Sequence, residues 1–157
     1  MTSFSSEEKE TIQNVKYFFK NEYDRYLTKA QPINSLSGMK LNSTGGVSCS
    51  PNIDAKEKLY LAIMDAEKII ESVKDTINNL QNNSKNPYKR IMEWSYLKQE
   101  TDIYIINNIE YERSQYFHRV KPCAILEFAE KFPTYQLING VDEIVDLSQD
   151  KMTNVSA

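Results

Sequence analysis

The stretch Glu112–Ala124, ERSQYFHRVKPCA, lies inside the longer run Asn86–Phe132, and its reading decides the fold. Tyr116 and Val120 are apolar and four residues apart, so in a helix they share one face. That face predicts the contact that locks a third helix onto two earlier ones. Arg113, Ser114, Gln115, Phe117, His118, Arg119 and Lys121 are left as the outward set. Arg, Gln, Ser, His and Lys are the side chains that reach base edges and phosphates when a helix lies in a major groove.

Upstream residues supply the other two helices. Tyr88–Leu97 (YKRIMEWSYL) reads as a support helix, with Asn86 as its cap and Pro87 at the first helical position. Thr101 caps a second helix over Asp102–Asn107, whose Ile103, Ile105 and Ile106 are expected to point inward. Asn108–Tyr111 is the break, and Ile109 and Tyr111 flank the turn within it. The tight turn of a helix-turn-helix needs a positive φ, usually at Gly; here the position is Glu110, and Asn108 is expected to carry part of the turn. Pro122 lacks an N–H and crowds the His118 carbonyl, which predicts a kink there.

The chain has 157 residues, enough for a real core, and a net charge of −3. The acid excess is not uniform. After Phe132 the sequence carries Asp142, Glu143, Asp146 and Asp150 against Lys151, whereas Arg113–Lys121 holds Arg113, Arg119, Lys121 and His118 with no acid. A short cationic strip on an acidic protein suits a specific duplex site and binds other DNA weakly, because the non-specific term scales with phosphates neutralised. Cys49 and Cys123 are isolated and His118 is the single histidine, so neither a disulfide framework nor a metal-ligand spacing is present, and no cofactor is expected. No apolar run has the length of a membrane span, and MTSFSSEEKE lacks an apolar signal region, so a cytoplasmic, membrane-free protein is expected.

Taken in order, the chain reads as helices joined by one long polar stretch. Ser5 and Glu8 form a capping-box pattern ahead of a helix over Ser6–Ala30, with Ile12, Val15, Phe19, Tyr23, Tyr26 and Ala30 as its apolar stripe, widened by Tyr17, Phe18 and Leu27. Residues 31–52 (QPINSLSGMKLNSTGGVSCSPN) are rich in Ser, Asn, Gly and Pro and read as a flexible linker. Its Gly45–Gly46 pair lacks the Lys-Ser/Thr of a phosphate loop. Over 53–83, Asp54 with Glu57 again suggests a capping box, and Leu59, Ile63, Ala66, Ile70, Val73, Ile77 and Leu80 form a heptad stripe. That stripe either packs on the first helix, the favoured reading, or pairs with a second copy. Residues 84–132 are the helix-turn-helix unit. Pro133 is expected to stop the last helix, leaving 133–157 as an acidic tail that ends in disorder. The fold class is therefore all-α: a bundle or coiled-coil-like N-terminal part joined to a C-terminal helix-turn-helix.

This order of pieces resembles ArpU-like phage late-transcription regulators. The residues that carry the resemblance are Ser114, Tyr116 and Phe117 in SQYF, followed by Ala124–Glu130 in AILEFAE. The C-terminal unit also resembles region 4 of sigma factors, which reads promoter elements. The chain departs from that pattern at Glu110 and at Pro122. The resemblance implies a phage- or prophage-encoded activator, acting in a bacterial host and binding upstream of late genes for packaging and lysis.

The expected function is sequence-specific binding of double-stranded DNA. Arg113, Gln115 and His118 are assigned to base edges, since Arg suits guanine and Gln suits adenine. Ser114, Arg119 and Lys121, with Lys89, Arg90 and Lys98 from flanking elements, are assigned to phosphates. RNA polymerase or an antagonist protein would meet the Ser6–Ala30 helix or the acidic tail, and a homodimer would double the half-sites. The alternative is a helical interaction module that pairs through the heptad or N-terminal helix without touching DNA. Catalysis is not expected: Cys123 and His118 stand five residues apart on one helix and diverge, and no other nucleophile is set beside a base.

Overall fold

The computed structural model describes residues 3–39 and 53–148. Among these residues the chain is helical and without strands, as the sequence predicts. The elements are α1 (Ser6–Tyr17), a π segment (Phe18–Glu22), α2 (Tyr23–Met39), α3 (Ile53–Asn78), α4 (Tyr88–Met92) with a π segment (Glu93–Leu97), α5 (Asp102–Ile109), α6 (Arg113–Gln115), a π segment (Tyr116–Val120) and α7 (Lys121–Ile138). No helix of the described residues is long and apolar enough to cross a membrane.

The capping box at the start of α1 is formed. The Glu8 amide donates to Ser5 Oγ at 3.1 Å, and the Ser5 amide donates to Glu8 Oε1 at 2.9 Å. The π segment that follows contributes two aromatic rings to the core, Phe18 and Phe19, both buried. Tyr17 remains exposed, so it does not widen the stripe. Helix α2 runs on to Met39, past the expected linker boundary at residue 31. Extending a helix already nucleated is easier than starting one, and this polar sequence adds to α2. The rest of the expected linker, 40–52, lies outside the described residues.

Helix α3 places its stripe in cis. Ile63, Ala66, Ile70, Val73, Ile77 and Leu80 are buried, and the helix packs on α2 and α7. Ser72 and Thr76 join this face; their hydroxyls donate back to the Lys68 and Ser72 carbonyls at 2.7 Å each, so neither is left unpaired. Leu59 is the exception at 58% exposed, together with Tyr60 and Leu61. Asp54 falls inside the first turn rather than ahead of it. The helix ends at Asn78 instead of residue 83, where the Asn79 and Leu80 amides tighten onto the Thr76 and Ile77 carbonyls.

Among the described residues an apolar cluster runs from Ile12 and Phe18 through Val73 and Ile91 to Ile125, Phe132 and Leu147. The 83/84 boundary therefore divides the chain but not the core. Phe19 stacks on Tyr96 with centroids 4.2 Å apart, and Phe18 meets Phe132 edge-on at 5.5 Å. Both contacts join the first helix to the segment expected to read DNA.

Pro133 does not end α7, which continues to Ile138. A proline in a helix interior costs about 3 kcal/mol. Burial of Phe132 on one side of it and Gln136 on the other offsets that cost. The Gln136 amide acts as a substitute strand: Nε2 donates to the Val145 carbonyl at 2.8 Å and Oε1 accepts from the Val145 amide at 2.7 Å. Asn14 Nδ2 donates to the Leu147 carbonyl at 2.9 Å, and the Leu147 side chain is buried. The expected acidic tail thus begins as helix, turns at Gly140 (φ +79°), and returns over residues 141–148 as a strap fixed to α1 and α7. Residues 149–157 lie outside the described residues.

Candidate nucleic-acid interface

Helix α5 starts as predicted, with the Tyr104 amide donating to Thr101 Oγ1 at 3.2 Å. It runs two residues beyond Asn107, to Ile109. Ile105 and Ile109, four apart, are buried, and Ile106 packs beside them. Ile103 is 60% exposed, against expectation, because two residues before Ile105 is nearly the opposite side of a helix. Glu110 then takes φ +61°, ψ +43°, the left-handed conformation. Asn108 stays helical, with Nδ2 donating to the Tyr104 carbonyl at 2.7 Å, so Glu110 makes the turn without the expected help. Glu112 is extended, and the next helical run starts at Arg113.

The support helix starts differently from expectation. Pro87 occupies the cap position, with no side-chain cap hydrogen bond. The Asn86 side chain turns away to donate to Gln81 Oε1 at 3.0 Å.

From Arg113 the chain stays helical to Ile138, through the π segment at Tyr116–Val120. Pro122, where the kink is expected, lies two residues past the end of this segment. The Lys121 amide donates to the Tyr116 carbonyl, five residues back, so the hydrogen bonding widens just ahead of the residue that has no N–H. The widening has a second effect. Residues five apart in an α-helix point about 140° from each other. Across the π segment Tyr116 and Lys121 instead converge on one atom: Asp102 Oδ1 accepts from the Tyr116 hydroxyl at 2.7 Å and from Lys121 Nζ at 2.8 Å. The Lys121 ammonium also lies 5.8 Å from the centre of the Tyr96 ring and 5.9 Å from that of Tyr116.

These contacts set the local electrostatics. Partial burial works to raise the Asp102 pKa, but the hydrogen bonds from Lys121 and Tyr116 and the Lys121 charge outweigh it, and the carboxyl sits below its ordinary range. Tyr116 is held neutral, with burial first and the Asp102 hydrogen bond second as causes. Burial also pushes Tyr96 up to about 12.

The structure separates the residues assigned from sequence by burial and partner. Tyr116 and Val120 are fully buried, so the inner face is as predicted. Arg113, Ser114, Gln115 and His118 are exposed along the outer face, with His118 Nδ1 3.0 Å from the Ser114 carbonyl. Arg119 is half-buried, its guanidinium 5.7 Å from the Tyr111 ring centre and Nη2 3.5 Å from the Tyr111 hydroxyl. Lys121 is the correction. Its side chain is 16% exposed and bonded to Asp102, so the phosphate role assigned to it is replaced by an internal one. On the flanking elements, Lys89 and Arg90 are half-buried, Arg90 lies 6.0 Å from the Trp94 ring centre, and exposed Lys98 is 3.9 Å from Glu93. Exposed Glu110 and Glu112 border the outer face and oppose phosphate approach from that side.

From sequence, Asp102 is only the first residue of a helix. No local pattern links it to Lys121. Among the described residues no group of His, Cys, Asp and Glu is placed to hold a metal ion. The chain matches no protein-family model, no curated protein and no solved structure.

Proposed function

We propose that this protein is a sequence-specific DNA-binding transcription regulator whose reading element is the helical run starting at Arg113. The observation that carries this is the turn at Glu110, followed by a helix with Tyr116 and Val120 buried beneath an exposed face of Arg113, Ser114, Gln115 and His118. On such a face an Arg fork can donate twice to guanine, and a Gln amide can donate to adenine N7 while accepting from its N6–H. Arg113, Gln115 and His118 take base edges; Ser114 and Arg119, with Lys89, Arg90 and Lys98, take phosphates. Few free cations and two bordering glutamates make non-specific binding weak and specific binding steeply dependent on fit. The resemblance to ArpU-like regulators extends the proposal to activation of phage late genes, with RNA polymerase as partner. Selection of bound sequences from random duplexes, followed by gel shift of the winners, tests it. Enrichment of one motif supports the reading, and an unenriched pool defeats it.

A second reading, a helical interaction module without DNA contact, is favoured by one observation. Leu59, Tyr60 and Leu61 are exposed together near the start of α3. Light scattering on the full chain tests self-pairing: a monomer at high concentration removes the homodimer version.

A further inference from the structure

Phe117 is an oddity on the outer face. It is 38% exposed, flanked by polar neighbours, and one helical turn from Arg113. Its inner side is supported by Tyr116, edge-on with centroids 5.0 Å apart, so the ring is braced by a buried partner. The Arg113 guanidinium lies over the ring, with Cζ 5.5 Å from the centroid. Ring and guanidinium therefore form one unit, with the aromatic face limiting where the Arg113 fork can go.

Resting on the DNA-binding reading above, we infer that Phe117 and Arg113 together read a thymine next to a guanine in the major groove. A guanidinium fork matches guanine O6 and N7, and an exposed phenyl ring matches the C5 methyl of thymine, the one apolar group on that groove floor. The two side chains start one turn apart on the same face, a separation of about 5–6 Å, which suits neighbouring base pairs. Phe117 is the specificity-determining residue for the thymine. It also positions Arg113, so the guanine contact depends on the ring as well.

The test uses the full chain and a duplex recovered by selection, altered one base at a time. Uracil in place of thymine removes only the methyl, and 7-deazaguanine in place of guanine removes the N7 acceptor. Wild-type protein is expected to lose about fourfold in affinity with uracil at one thymine, the effect of one methyl group. At the adjacent guanine it is expected to lose about tenfold with 7-deazaguanine. The variant Phe117→Ser is expected to be indifferent to uracil and less sensitive to the guanine change, whereas Phe117→Leu keeps the uracil response. The inference is overturned if no thymine position responds to uracil, or if Phe117→Ser responds as the wild type does. Failure to bind any selected duplex would instead remove the DNA-binding reading itself.

Discussion

The Tyr116 hydroxyl donates to Asp102 Oδ1 across 2.7 Å, tying the first residue of α5 to the start of the π segment in the next helical run. The same oxygen holds Lys121 at 2.8 Å. Three side chains thereby fix the rotation of the outer face relative to α5, and with it the direction in which Arg113 and Gln115 project.

Asp102→Asn is expected to lower stability by about 1 kcal/mol, the scale of a partly exposed charge-assisted contact. Urea denaturation reads this as a lower midpoint with an unchanged slope. A variant as stable as wild type would show that the convergence on Asp102 contributes nothing.

The Asp102 carboxyl lies below its ordinary range when folded, so its contribution is present above the unfolded value, about 3.9, and is lost as pH falls through the folded value. Wild-type urea midpoints are thus expected to drop more steeply than those of Asp102→Asn between pH 5 and about 2. Parallel curves would contradict the assignment.

Arg113→Ala is expected to cost about 1–3 kcal/mol of binding to a selected duplex and to relax preference at one base pair. Lys121→Met, in contrast, is expected to leave the salt dependence of binding unchanged, since Asp102 already neutralises its charge. Loss of about one unit of salt slope in Lys121→Met would restore the phosphate role given to it from sequence.

Glu110 holds φ +61° without the freedom of glycine. Glu110→Gly is expected to stabilise the fold by about 1 kcal/mol, because relief of left-handed strain exceeds the added chain entropy. Calorimetry would register it as a raised Tm.

Much of this architecture was legible because it follows local rules. The capping box of Ser5 and the cap of Thr101, the inward Tyr116–Val120 pair and the cis-packed stripe from Ile63 to Leu80 all come from spacing that any helix obeys. The misses differ in cause. Tertiary packing carries α7 through Pro133, Ile103 faces outward by the same helical period that buries Ile105 and Ile109, and π segments at Phe18 and Tyr116 break that period. A π segment shifts the phase of every later side chain, so the meeting of Lys121 with Asp102 could not be derived from a regular helical period.

The ring of Phe19 lying flat on Tyr96 bears on how the protein can be dissected. A piece cut to start near residue 84 would strip the covering from Phe128 and Phe132 as well as from Tyr96, baring aromatic surface along its whole length. Such a truncation would clump before it met a duplex, and only the intact polypeptide offers a fair trial of recognition.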